Sequence, residues 1–210
     1  MKKLLLGILI ISAAFFVSSC VWGAQPAHAI GDTKNVTLTT TVVTYLTLTI
    51  TAGSTVGFGS LTPQTPIQAP ATGTIASVAT NAANGYTLGI SDATAAPNSS
   101  MTHTDTSTHI TKYGGTVGTP TLWSGNGVGI TLYAADTSKD TSKWGTGTTY
   151  DDANNKYAGI PETATTAHTV VGALSGADTS SWAYEINVPN TQKAGAYSGA
   201  MTFTATAVLS

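Results

Sequence analysis

The chain has 210 residues, 41% of them hydrophobic and only 9% charged, with no arginine and a single cysteine, Cys20. Its formal net charge is −2, and loss of Lys2 and Lys3 with an N-terminal leader takes it to −4. This balance excludes the clustered cations that bind nucleic acid by releasing counterions and the polybasic patch that holds a protein to an anionic membrane. With one cysteine there is no disulfide framework, and about 180 residues bury enough apolar surface to do without one.

Met1-Lys2-Lys3 is a short positive start, and Leu4 to Val17 is almost unbroken apolar sequence. Charge followed by a short apolar run is the order of a secretory signal, and the run is too short for a membrane span. Two processing sites compete. Ala27-His28-Ala29 places small residues where a signal peptidase needs them, with Pro26 ending the apolar helix, so cleavage leaves Ile30 first. Val17-Ser18-Ser19-Cys20 instead resembles a lipobox, whose cysteine would be lipidated. Residues 1–29 are therefore expected to be a signal peptide and residues 30–210 a single domain.

Threonine supplies much of the polarity, and its branched Cβ suits a pleated, half-exposed surface. From Asn35 to Ile50, Val36, Leu38, Val42, Leu46, Leu48 and Ile50 share one parity with threonines between them, which predicts a strand bent near Val43-Thr44. Val56 to Gly59 reads as a short strand, and Pro63, Pro66 and Pro70 as an extended loop or edge. A strand is expected over 74–80. Asn84-Gly85 then reads as a hairpin turn into Tyr86-Thr87-Leu88-Gly89-Ile90.

Residues 91–127 are less regular, and Val128 to Tyr133 is the next predicted strand. Asp136 to Pro161 reads as a long polar loop carrying Trp144, Tyr150 and Tyr157. Trp182, Tyr184, Ile186 and Val188 alternate with polar or small residues up to Pro189. Met201, Phe203, Ala205, Ala207 and Leu209 form the apolar side of a last strand, with Thr202, Thr204 and Thr206 on the other. The fold class expected is all-β, a two-sheet antiparallel sandwich of Ig-like or Greek-key type with eight or nine strands.

An early strand running into Phe58-Gly59, a central Gly85-Tyr86-Thr87-Leu88 and a closing Val188-Pro189 before Tyr197 and Met201-Thr202-Phe203-Thr204 together resemble the WxL-type surface domains of Gram-positive bacteria. The places of that family's Trp-x-Leu elements hold Tyr86-Thr87-Leu88 and Phe203-Thr204-Ala205 here, which departs from the pattern. Gly195-Ala196-Tyr197-Ser198-Gly199 and the apolar terminal strand are also similar to spore-coat and pilin-like secreted sandwiches. Both resemblances imply a surface structural or adhesive protein without catalysis.

Candidate chemistry is sparse. His103, Asp105, Ser107 and His109 share parity and would line up on a strand face as a metal or acid–base site, against a plain polar edge or loop. Asp136, Asp140, Asp151 and Asp152 with Asn154 and Asn155 form an oxygen-rich loop for calcium, yet Asp and Asn also build turns with their own backbone. Trp123 and Trp144, lying among glycines, and the loop tyrosines Tyr150 and Tyr157 are the candidates for glycan or partner contact, either exposed or folded back over one end of the sandwich. Trp182 belongs with the core. Threonine pairs such as Thr47-Leu48-Thr49 are ordinary solvated sheet faces rather than an ice-binding array. Neither a phosphate-cradling glycine loop nor a nucleophile elbow is present.

The function expected is an exported, non-enzymatic structural or adhesive protein of the cell surface. Its expected partners are cell-wall polymer, other surface proteins or further copies of itself, with membrane attachment only through the signal peptide or a lipid on Cys20. No cofactor is expected. The alternatives are a glycan-binding module and a pilin-like subunit assembled by strand exchange.

Overall fold

The computed structural model describes residues 37–93, 98–137 and 139–209. The signal peptide, Cys20, the Ala29–Ile30 junction and Val36 lie outside the described residues. The chain divides into two compact units, Met1–Thr41 and Val42–Ser210. Within the first, residues 37–41 are exposed and carry no regular structure. Among the described residues the second holds every strand. Among the described residues no helix is long and apolar enough to cross a membrane.

Twelve strands follow in chain order: β1 (Leu46–Ala52), β2 (Ile67–Thr80), β3 (Tyr86–Asp92), β4 (Ser99–His103), β5 (His109–Thr111), β6 (Thr121–Leu122), β7 (Gly127–Ala135), β8 (Lys156–Gly159), β9 (Thr165–Val170), β10 (Asp178–Asn187), β11 (Tyr197–Ser198) and β12 (Met201–Ala207). One helical turn, α1 (Thr141–Trp144), precedes β8. A six-stranded sheet runs in the order β1-β2-β10-β7-β8-β6, and two three-stranded sheets run β11-β4-β5 and β12-β3-β9. All strand pairings are antiparallel. This is the all-β sandwich expected, with more and shorter strands than the eight or nine read from periodicity.

The core lies on one face of the central strand β10. Trp182, Tyr184 and Ile186 point inward, with Ala76 and Val78 of β2 and Val128, Ile130 and Leu132 of β7 beside them. Tyr86, Leu88 and Ile90 of β3 and Ala167 and Val170 of β9 close over them from the second layer. Trp182 meets Trp144 edge-on at 5.7 Å and tilts against Phe203 at 5.5 Å. At roughly 25 cal/mol per Å² of apolar area buried, this double layer is the main stabilising term.

Several expected elements are corrected. The predicted strand over 35–50 begins only at Leu46, because residues 37–45 find no strand partner. Val56 to Gly59 forms no strand, although Val56 and Phe58 pack against the core. Asn84-Gly85 does not close a hairpin: β2 pairs with β1 and β10, whereas β3 pairs with β12 and β9. The turn, closed by Gly85 N donating to Ala82 O at 3.2 Å, carries the chain from one layer to the other. Gly85 sits at φ 80°, and a Cβ there would lie 2.1 Å from Val170 O, so glycine serves both conformation and close approach.

Both ends of the folded unit are tied to this same turn. Asn81 Oδ1 accepts from Tyr45 N at 2.8 Å and its Nδ2 donates to Val43 O at 2.9 Å. Asn84 Nδ2 donates to Leu209 O at 3.2 Å. Residues 43–45 thus run past the end of β2 instead of folding back along β1.

Candidate functional site

The loop predicted over 136–161 is more ordered than its composition suggests. Asp140 caps α1 by accepting from Lys143 N at 3.1 Å, and this brings Trp144 inward, where it is fully buried and donates its indole N–H to Ala167 O at 3.0 Å. The expectation that Trp144 offers surface contact is corrected: it folds back into the core because its partner carbonyl and Trp182 lie there. Asp152 Oδ1 accepts from Asn154 N at 2.9 Å and Asp151 from Thr149 Oγ1 at 2.9 Å, so these acids build turns. Asp136 Oδ2 accepts from Thr179 N at 2.9 Å. Tyr150 is half-buried, and its backbone carbonyl lies 3.4 Å from Asn155 Nδ2.

Trp123 and Tyr157 are brought together on the outer face of the six-stranded sheet. Trp123 is half-buried, stacks on Tyr113 at 4.4 Å and meets Tyr157 edge-on at 5.4 Å. Gly129 lies beneath, where a Cβ would come within 2.7 Å of the indole ring. Tyr157 is 1% exposed, which corrects its placement in an open loop: it belongs to β8. Beside it Glu185 is 4% exposed, and Gln68 Nε2 donates to Glu185 at 3.0 Å and to the Tyr157 hydroxyl at 3.3 Å. Burial pushes the Glu185 carboxyl above the usual carboxylate range, and burial beside that carboxyl pushes the Tyr157 phenol up. The cluster is a small second core under the 113–126 segment, in which Gln68, Glu185 and Tyr157 bond to one another while the buried Trp123 indole N–H has no partner among the described residues.

His103 and His109 do not share a strand face. They lie on β4 and β5, joined by a tight turn in which Thr106 takes φ 61° and Asp105 Oδ1 accepts from Ser107 N and Thr108 N. Lys193 donates to Asp105 at 2.6 Å, and its ammonium, followed by these backbone donors, holds the carboxyl well below its ordinary range. His103 packs edge-on against Tyr197 at 4.9 Å.

A second polar cluster, which the sequence did not single out, spans the two layers. Asp178 of β10 is 3% exposed and accepts from Tyr86 Oη at 2.6 Å and from Thr137 N at 3.0 Å. His168 Nε2 of β9 lies 3.8 Å from the same carboxylate and 3.5 Å from Thr137 Oγ1. Desolvation lowers the His168 pKa despite Asp178, and it raises the Tyr86 phenol. Tyr86 and Asp178 lie 92 residues apart and Thr137 lies 41 from Asp178, which is why no spacing motif announced the cluster.

The sandwich also has an opening. A pocket of about 390 Å³ lies where the far halves of β1 and β12 face one another, lined by Ile50, Val56, Phe58, Met101, Tyr184, Met201 and Phe203. The only titratable group on this wall is Tyr184, whose hydroxyl donates to Thr74 Oγ1 at 2.8 Å and whose pKa burial pushes up to about 12. Ser54, Thr55, Thr74 and Ser100 add hydroxyls to this largely apolar wall. Its flanking strands are edges: β1 ends the six-stranded sheet and β12 ends its own sheet. Each turns threonines outward and half-buried apolar residues inward.

Sequence reasoning found both strands but not their juxtaposition, for which the only signal was their matched alternation. Comparison of the chain with protein-family models, with curated proteins and with solved structures finds no match.

Proposed function

We propose that this chain is an exported, non-enzymatic structural module of a bacterial surface that works by contact through its sheet edges. The observation that carries this reading is the groove between β1 and β12, which is open, uncharged and flanked by two strands that end their sheets among the described residues. An exposed edge is the common template for adding a further strand. The polar clusters support the same reading, because Tyr86, Asp178, His168, Glu185 and Tyr157 are buried and bonded within the fold, with the half-buried Gln68 joining the last two, which stiffens the sandwich rather than presenting reactive groups.

Fractionation of the native host tests it. The chain is expected in the envelope or the medium, and purified envelope is expected to retain it in the presence of soluble sugars. Recovery in the cytosol would overturn the export reading. Release by a competing sugar would replace structural contact with glycan binding.

A further inference from the structure

We infer that the pocket between β1 and β12 is a small-molecule site that takes the aliphatic chain of an uncharged single-chain lipid and leaves its hydroxyl-bearing head at the mouth. The inference goes beyond contact through the strand edges and does not depend on it. The depth of the pocket belongs to the core: Val128 of β7 and Tyr184 of β10 are buried, and they line it together with Met201 and Phe203 of β12. The opening therefore enters between the two layers of the sandwich, where a ligand is held on both sides. At about 390 Å³ it falls near the lower end of the roughly 300–1,000 Å³ that small-molecule sites span, which is room for one chain rather than two.

The chemistry of the wall selects the class of ligand. It carries no charged side chain, so an ionised group drawn inside would lose its water with no counter-charge in return. The hydroxyls of Tyr184 and Thr74 are already engaged: Tyr184 Oη donates to Thr74 Oγ1 at 2.8 Å, and Thr74 Oγ1 donates to Gly53 O at 2.7 Å. Ser54 and Thr55, by contrast, are exposed at the rim, where they can bond the hydroxyls of a head group that stays in water. The wall also adapts to a flexible chain. Met101 and Met201 are the methionines of the sequence apart from Met1, and both line this pocket. Unbranched and polarisable, methionine reshapes to fill irregular space.

The test uses the whole exported chain, with its methionine methyl groups isotopically labelled for magnetic resonance, and monododecanoylglycerol below its micelle concentration as the probe. The methyl signals of Met101 and Met201 are both expected to shift and to saturate at one probe per chain. Tryptophan fluorescence is expected to change with the same midpoint, because Phe203 on the pocket wall packs against Trp182 at 5.5 Å. Dodecanoate and dodecyltrimethylammonium, with the same chain and an ionised head, are expected to bind weaker by about tenfold or more, since nothing at the mouth offsets their desolvation. Met201→Trp fills the pocket from its wall and is expected to abolish binding. Ser54→Trp plugs the exposed rim and is expected to do the same with an unchanged melting profile, which keeps the test decisive if the first variant does not fold. Methyl signals that stay in place overturn the inference, as does binding that survives either substitution in a folded chain. Dodecanoate binding as tightly as the neutral lipid overturns it as well.

Discussion

Tyr86 and Asp178 meet across the two layers of the sandwich, the phenol donating to the carboxylate at 2.6 Å where both side chains are out of water. A bond to a charged acceptor is worth about 1.5–3 kcal/mol, and its loss leaves a buried oxygen without its donor. Tyr86→Phe is therefore expected to destabilise by about that amount in denaturant titration. An unchanged midpoint would mean that Thr137 N alone satisfies Asp178.

His168 faces the same carboxylate, the Thr137 hydroxyl and the edge of the Tyr86 ring, with the Lys143 charge also felt. Its pKa is lowered in the folded state, so the unfolded chain takes the proton first. Stability from this residue is complete above about pH 6.5 and falls as the pH drops below that value. His168→Gln is expected to lose this part of the pH dependence, seen as a wild-type minus variant difference in Tm that changes between pH 7.5 and 5.5. Parallel curves would place the proton uptake elsewhere.

The sign is opposite in kind for Glu185, whose carboxyl is raised by burial. Below about pH 4.5 it is neutral both folded and unfolded, so burial carries no charge penalty. As pH rises the unfolded chain ionises first and stability is lost until the folded group ionises too. Glu185→Gln should thus raise Tm at pH 7 and give no gain at pH 4. A variant less stable at pH 7 would show that Gln68 and Tyr157 require the carboxylate itself.

The last strand was expected to place Met201, Phe203 and Leu209 in the core. Instead Met201 and Phe203 are half-buried beside the groove, and Leu209 is 65% exposed past the end of β12. Trp182→Ala, in the fully buried centre, is expected to cost about 3–5 kcal/mol or to prevent folding. Phe203→Ala should cost clearly less, and Thr204→Ala on the solvent face about 0.5 kcal/mol or less. Equal losses at Trp182 and Phe203 would mean that the groove is closed in solution.

Processing is expected after Ala29, leaving Ile30 as the first residue, and intact mass of protein from the native host checks it. A diacylglycerol-bearing species beginning at Cys20 would make this a lipoprotein instead.

Strands with a clean alternation and one wet face were legible, as Trp182–Val188 and Met201–Ala207 illustrate. β4, β5 and β9 were not: they are short, and sequences such as Ser99-Ser100-Met101-Thr102-His103 carry too little apolar contrast to reveal a face. Asn84-Gly85 misled because a glycine turn that reverses the chain within a sheet looks the same as one that carries it between sheets. Trp144 was misplaced because a four-residue helical turn is too short to show a period, although Asp140 three residues before Lys143 is its capping signal. The groove was invisible for a different reason. It is made by two edges brought together from opposite ends of the unit, and pairing at that distance leaves no local trace.

The anchoring of Val43 and Tyr45 by Asn81, and of Leu209 by Asn84, places the points where the chain joins and leaves the folded body within one short turn. A pull applied to the two ends would therefore meet β1 and β12 from the same side and open them bond by bond, as a zip opens, instead of sliding whole strands past one another. Rows of hydrogen bonds broken in sequence resist far less than rows broken at once. Load carried through the termini would strip the two edge strands early and spare β10, which is paired along both flanks. A strand seated against β1 would change that response, because it adds bonds that must be sheared along their length.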